Sequence, residues 1–239
     1  MSRRLVVLDA AGTLVEVAGS VGEAYAEDAR SAGANLDPEA IEQGFARAMR
    51  TAPPLAFGEL PPDARGVAAR GWWRSVAGAA LAAAGELPAG FSFATFFDHA
   101  WRRFSLPGAW RVHADVRPGL RALRARGVPL AVFSNWDERL EPLLRSLGLG
   151  GYFCRVIVSS DLPAAKPDPA AFAAAGRELG TIQSAVGAPL MVGDRLDHDA
   201  VPALAVGWEA VWLDREGSDG APEGVPTVRD LRELSRLLG

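Results

Sequence analysis

Five short apolar runs, each closed by polar residues, organise the chain. Residues 5–8 run into Asp9, 129–133 into Ser134-Asn135, and 155–158 into Ser159-Ser160-Asp161; 189–192 run into Gly193-Asp194 and 210–213 into Asp214. Unbroken runs of this length, rich in Val, Leu and Ile, predict strands buried on both faces. Between the later runs the apolar spacing becomes helical. It predicts helices over 119–126, 138–147, 168–179, 199–205 and 228–238. Gly148 and Gly180 act as stops, and Asp168-Pro169 forms a cap and first turn. Strand and helix in alternation predict an α/β fold built on a doubly wound parallel sheet. Ligands in such sheets sit at the carboxyl ends of the strands. Asp9, Ser134 and Asp194, far apart in sequence, are therefore expected at one edge.

Residues 16–111 interrupt this rhythm. No strand is predicted there. Helical spacing covers 21–32, 38–50, 64–84 and 93–104, broken by a Pro-rich loop at 53–62. The expected organisation is a core made of 1–15 and 112–239, with 16–111 inserted as a helical cap domain. The segments 16–20 and 106–114 carry Gly or Pro and are expected to act as hinges.

Length and charge narrow the classes. The 239 residues suffice for a core without disulfide or metal staples, and 49% hydrophobic with 23% charged residues is ordinary for a globular protein. A net charge of -4 offers no basic field for nucleic acid or anionic lipid. The single cysteine, Cys154, cannot close an internal disulfide, which fits a reducing compartment. The apolar stretch 76–85 is too short to span a bilayer. The start, Met1-Ser2-Arg3-Arg4, imitates a leader, but its apolar run is cut at Asp9 after four residues. The expectation is a cytoplasmic protein without nucleic-acid or membrane partners.

The basic residues carry a sharper hint. Of 25 Lys and Arg, Lys166 alone is lysine. A surface position accepts arginine easily, so a lone lysine suggests a need for a compact ammonium charge.

Four segments at strand ends carry candidate chemistry. Asp9-Ala10-Ala11-Gly12-Thr13-Leu14 offers a carboxylate nucleophile and a Gly-containing turn, though such turns are common. Gly193-Asp194-Arg195-Leu196-Asp197-His198-Asp199 places three carboxylates in six positions, suited to a hard cation or to a helix N-terminus. Ser134-Asn135 can donate to a phosphate or open a helix, with Asn135 or Asp137 as N-cap. Lys166-Pro167-Asp168-Pro169 either holds an ammonium in place or punctuates a loop.

Taken in order, these segments resemble the four motifs of the haloacid dehalogenase superfamily. Asp9–Leu14 resembles the first, 132–135 the second, Lys166-Pro167 the third and 193–199 the fourth. Val21-Gly22-Glu23-Ala24-Tyr25-Ala26, Trp72-Trp73 and Ser134-Asn135-Trp136-Asp137-Glu138-Arg139-Leu140-Glu141 are similar to its rhythmically-expressed-gene-like branch of hydrolase domain-containing proteins. The resemblance implies a Rossmann-like core with a helical cap, and a Mg²⁺-dependent hydrolase acting on a small phosphorylated molecule. It implies that Asp9 attacks phosphorus and that Mg²⁺ is held by Asp9, the carbonyl of Ala11 and Asp194, with Asp199 supporting the metal. It also implies that Ser134, Asn135 and Lys166 hold the phosphoryl group, and that Thr13 supports the loop beside it.

The pattern breaks at Ala11. Phosphatases of this superfamily carry there a second Asp that protonates the leaving group and then activates water. Loss of a general acid/base costs about 10²–10⁴-fold. The sequence therefore implies a weak or specialised phosphatase. A homologue that binds a phosphorylated ligand or a protein without turnover is the alternative, and a 2-haloacid dehalogenase-like enzyme a third. Glu16, His99 and His113 are the residues that could replace the missing acid. Trp72, Trp73 and Arg74 could line a substrate site or anchor the cap interior.

Overall fold

The computed structural model describes residues 4–218 and 223–238. Most of the leader-like start, residues 1–3, lies outside them. In chain order the elements are β1 (Val6–Leu8), β2 (Val15–Val17), α1 (Val21–Ser31), α2 (Pro38–Thr51), α3 (Pro62–Ala84), α4 (Phe93–Phe104) and β3 (Trp110–Val112). Next come α5 (Val116–Ala125), β4 (Leu130–Ser134), α6 (Leu140–Ser146), β5 (Arg155–Val158), α7 (Pro169–Val186) and β6 (Leu190–Gly193). The last are α8 (Val201–Ala205), β7 (Glu209–Leu213), β8 (Thr227–Val228) and α9 (Leu231–Leu237). Among the described residues no helix is long and apolar enough to cross a membrane.

The chain forms two compact units. One holds Met1–Glu16, Leu55–Arg65 and Val112–Gly239; the other holds Val17–Pro54 and Gly66–Arg111. The first unit is an α/β structure. Its six-stranded sheet has the order β5-β4-β1-β6-β7-β8, with every neighbouring pair parallel. The five predicted runs are its β1, β4, β5, β6 and β7, each shifted by no more than one residue at either end. Strand β1 is central: Leu8 lies between Val132 of β4 and Val192 of β6. Leu5, Val6, Val7 and Leu8 are fully buried, and each such side chain contributes about 1.5–3 kcal/mol. Phe133, Phe172 and Trp208 meet edge to face in the core, with ring centroids 5.4 and 5.5 Å apart.

Three departures from the expected elements have local causes. Strands β2 and β3 take the rims of the insertion, where no strand was expected and hinges were, and form a two-stranded sheet of their own. Helix α7 passes the predicted stop at Gly180 and ends at Val186. Helix α6 begins at Leu140 rather than 138, because the buried Asp137 carboxylate accepts from the Arg139 backbone N–H (3.1 Å) and guanidinium (2.8 and 2.7 Å).

The segment Leu55–Arg65 lies within the inserted stretch, yet it belongs to the first unit. It straps onto the turn after β5. The Phe57 N–H donates to Ser160 O (3.1 Å), the Gly58 N–H donates to Leu162 O (2.8 Å), and the Ser159 hydroxyl donates to Leu55 O (2.6 Å). At Gly58 an added Cβ would lie 2.4 Å from the Leu162 carbonyl carbon and 2.6 Å from Pro163 N, so only glycine allows this approach.

The second unit is helical, apart from its share of the small sheet. Ser20 and Glu23 form a capping box at α1, and Asp37 with Pro38 starts α2. Tyr25 packs edge-on against Phe45, Phe96 and Phe104. The buried Asp28 carboxylate receives two bonds from the Arg103 guanidinium (3.0 and 2.7 Å). Trp72 and Trp73 meet edge to face at 4.8 Å, and the Trp72 indole N–H donates to Pro53 O (2.7 Å). Trp73 packs on the apolar interior of this unit. Arg74 lies over the Phe93 ring, 4.7 Å from its centroid. All of these contacts anchor the unit internally.

Candidate active site

The site grows from the carboxyl ends of β1, β4 and β6. Asp9 follows β1, and its turn closes through bonds from Leu14 N and Val15 N to Ala10 O (2.8 and 3.0 Å) and from Gly12 N to Val15 O (2.8 Å). Gly12 adopts φ +79°, and a Cβ there would lie 2.3 Å from Asp194 Oδ2. Both the backbone conformation and the close approach of the two loops require glycine. Thr13 is fully buried. Its hydroxyl donates to Asp194 Oδ1 (2.9 Å) and accepts from the Asp194 N–H (3.0 Å), locking the first loop to the loop after β6.

Lys166 lies in the loop after β5. Its ammonium is 2.8 Å from Asp9 Oδ1 and 2.5 Å from Asp199 Oδ1, and all three side chains are buried. Asp9, Asp194 and Asp199 each bring a carboxylate oxygen within 4.8 Å of the others. Three residues that are 190 positions apart at the extremes are thus gathered at one point.

The electrostatics follow from burial. Burial alone would push the Lys166 ammonium down, but the carboxylates of Asp199 and Asp9 outweigh it and hold it above its ordinary value. Burial and the charge of Asp9 push Asp194 up, against the bond from Thr13. Burial, reinforced by Asp9 and opposed by Lys166, pushes Asp199 up to about 7. One ammonium is too little positive charge for three gathered carboxylates. The donor set is all oxygen, two of the three carboxylates are buried, and one ammonium compensates their charge only in part. This fits a hard divalent cation such as Mg²⁺.

Asn135 has a structural use beyond the expected one. Its amide Nδ2 donates to Lys166 O (2.8 Å), and its Oδ1 accepts from the Lys166 N–H (2.9 Å). Both ends of the side chain hold the backbone of Lys166, so Asn135 positions the residue that carries the ammonium. Ser134 ends β4, buried, one step beyond the residue level with Asp9. Ala11 lies exposed in the first turn. Glu16 Oε1 stands 3.5 Å from His113 Nδ1, whereas His99 is exposed on α4 in the other unit. Trp212 was missed from sequence. Its indole N–H donates to Asp194 O (2.9 Å). The available signal was a Trp in a buried strand, whose N–H must find a partner.

The profile of the haloacid dehalogenase-like hydrolase family matches residues 3–207. The chain belongs to that family. The mouse haloacid dehalogenase-like hydrolase domain-containing protein 3 is 33% identical over 243 residues, covering 100% of this chain and 93% of the mouse protein. A phosphoserine phosphatase of Thermus thermophilus is 33% identical over 127 residues, covering 52% of this chain and 49% of its own. The crystal structure of the putative HAD-hydrolase YfnB of Bacillus subtilis, bound to magnesium, aligns with TM-score 0.69 at 20% identity over 100% of both chains. That last likeness shows the fold. Within the family frame, the four loops occupy the sheet edge where an α/β fold binds its ligands.

Proposed function

We propose that this family member is a Mg²⁺-dependent phosphatase of narrow scope, acting on a small phosphorylated molecule through an aspartyl-phosphate at Asp9. The observation that carries the reading is the convergence of Asp9, Asp194 and Asp199 with the Lys166 ammonium between two of them. An anionic nucleophile and an anionic phosphate repel by about 4 kcal/mol at 4 Å and an effective dielectric of 20. Mg²⁺, held by Asp9 and Asp194 with Asp199 beside them, would supply Lewis-acid neutralisation of the phosphoryl oxygens.

The chain's own residues supply the rest. The Asp9 carboxylate forms the bond to phosphorus as the bond to the leaving oxygen breaks. Lys166 neutralises charge on the transferring group, and Asn135 keeps Lys166 in place. Ser134, at the end of β4, offers a hydroxyl to a phosphoryl oxygen. Water then hydrolyses the aspartyl-phosphate, returning Asp9 and releasing phosphate. Ala11 can neither protonate the departing oxygen nor activate that water. The reading therefore favours acyl or aryl phosphates, whose leaving oxygens are weak bases.

A series of phosphate esters of graded leaving-group pKa, with and without Mg²⁺, tests this. Rates should fall steeply as leaving-group pKa rises, and should vanish in EDTA. A flat series would remove the missing-acid argument. Tight binding of the esters without phosphate release would replace catalysis with ligand binding.

A further inference from the structure

The inner side of the Asp9 turn is tied to Asp194 through Thr13. Its outer side meets a second structure. Arg215 follows β7, and its Nη1 donates to Gly12 O (2.6 Å) while its Nη2 donates to Thr13 O (2.8 Å). The same Nη2 reaches both oxygens of Asp115, at 3.1 and 2.9 Å. Asp115 precedes α5 and is buried. Its Oδ2 also accepts from the backbone N–H of Leu231, the first residue of α9 (2.9 Å). An unbroken chain of bonds thus runs from the start of α9 through Asp115 and Arg215 to two consecutive carbonyls of the turn, and through Thr13 to Asp194.

We propose that Arg215, braced by Asp115, is a positioning residue that sets the reacting turn from its outer face. The guanidinium suits the task because its planar fork presents several donors in fixed directions. Two adjacent carbonyls and a carboxylate are met by one rigid group. A lysine ammonium is a point charge on a flexible stem and cannot span all three. The buried Arg215 Nε has no hydrogen-bond partner among the described groups, so its orientation comes from the two terminal nitrogens alone. Burying that donor costs free energy. Without Arg215, both carbonyls lose their charged donor and Thr13 can drift. The hydroxyl of Thr13 holds Asp194 Oδ1 at 2.9 Å, so drift there moves a carboxylate of the acidic cluster. Misplacement by about 1 Å at a reacting centre can cost about 10²-fold.

The inference rests on the proposed role of the Asp9 turn, so its test is read first without catalysis. Amide hydrogen exchange over residues 10–15 is compared in wild type, Arg215→Ala, Arg215→Lys and Asp115→Asn. Arg145→Ala, at an exposed arginine paired to Glu141, serves as control. Arg215→Ala should exchange about tenfold faster in the turn, and bind Mn²⁺ about tenfold more weakly, with the rest of the fold protected. Free guanidinium at sub-denaturing concentration should recover both, and Arg215→Lys should recover neither fully. Asp115→Asn should fall between wild type and Arg215→Ala. Wild-type exchange in the turn of Arg215→Ala overturns the proposal, as does faster exchange that guanidinium leaves untouched. If Arg215→Ala does not fold, wild-type exchange in Arg215→Lys overturns it equally. A wild-type protein that binds no Mn²⁺ removes the metal reading, and the exchange comparison still decides the clamp.

Discussion

Lys166 is the residue on which the site's stability turns. Its ammonium lies against two buried carboxylates, and removing one partner of such a set leaves charge buried without compensation. Lys166→Met should therefore lower stability in EDTA by about 3–5 kcal/mol, and Mg²⁺ should restore part of the loss. Thermal melts of both proteins with EDTA and with Mg²⁺ check this; equal melting in EDTA would contradict it. Ala11 gives the opposite kind of prediction. It is exposed, so a carboxylate there displaces nothing. Ala11→Asp should raise alkyl phosphate hydrolysis by about 10²-fold or more while changing aryl phosphate rates much less, read as kcat on matched ester pairs. Part of this scale was legible in the sequence. A single lysine among 25 basic residues singled out Lys166, and the spacing of Asp194 and Asp199 suggested an oxygen-rich cation site. The use of Asn135 was not legible, because an amide that grips a ligand and one that grips a neighbouring backbone have the same donors and acceptors. Arg215 gave no signal at all among 24 arginines.

At the scale of elements, hydrophobic period was the reliable guide. A short apolar run bounded by polar residues suits a strand covered on both faces, and the five such runs became β1, β4, β5, β6 and β7 of the parallel sheet. Strands β2, β3 and β8 are two or three residues long, and no unbroken apolar run marks them as residues 5–8 mark the equally short β1. Gly180 did not end α7, since one glycine in a helix interior costs only about 1 kcal/mol relative to alanine. Helix α9 offers a test of capping. Asp230 accepts from the Arg232 N–H (2.7 Å) at its N-terminus, and the Arg232 guanidinium holds the Asp230 carboxyl below its ordinary value. A lowered carboxyl stabilises the fold above its unfolded pKa and loses that contribution as pH falls through the folded value. Asp230→Ala should therefore cost about 1 kcal/mol at pH 7, with the gap to wild type narrowing as pH drops below about 4. Urea midpoints across that range measure it, and a gap that widens on acidification would contradict the cap.

At the scale of the whole molecule, the two units differ in what the sequence disclosed. The interruption of alternation predicted an insertion over 16–111, and the second unit, Val17–Pro54 and Gly66–Arg111, draws its residues from that range. The strap Leu55–Arg65 was hidden. Its partners, Ser159 to Leu162, lie about a hundred positions away, and its Pro-rich composition reads as a loop. Gly58→Val should break it, since the obstructing atoms are backbone and cannot rotate away. The variant should be less stable by about 1–3 kcal/mol and be cut faster by protease within 53–62. An unchanged digestion pattern would show that the strap is not held by this approach.

The strap also governs how the gene could be divided. Excising 17–111 as a cassette would carry off eleven residues that belong to the sheet-bearing unit. The buried Ser159 hydroxyl and the carbonyls of Ser160 and Leu162 would lose their partners with them. A trimmed sheet-bearing fragment, or a chimaera with a foreign helical insert, would need to keep 55–65 or graft a replacement for it.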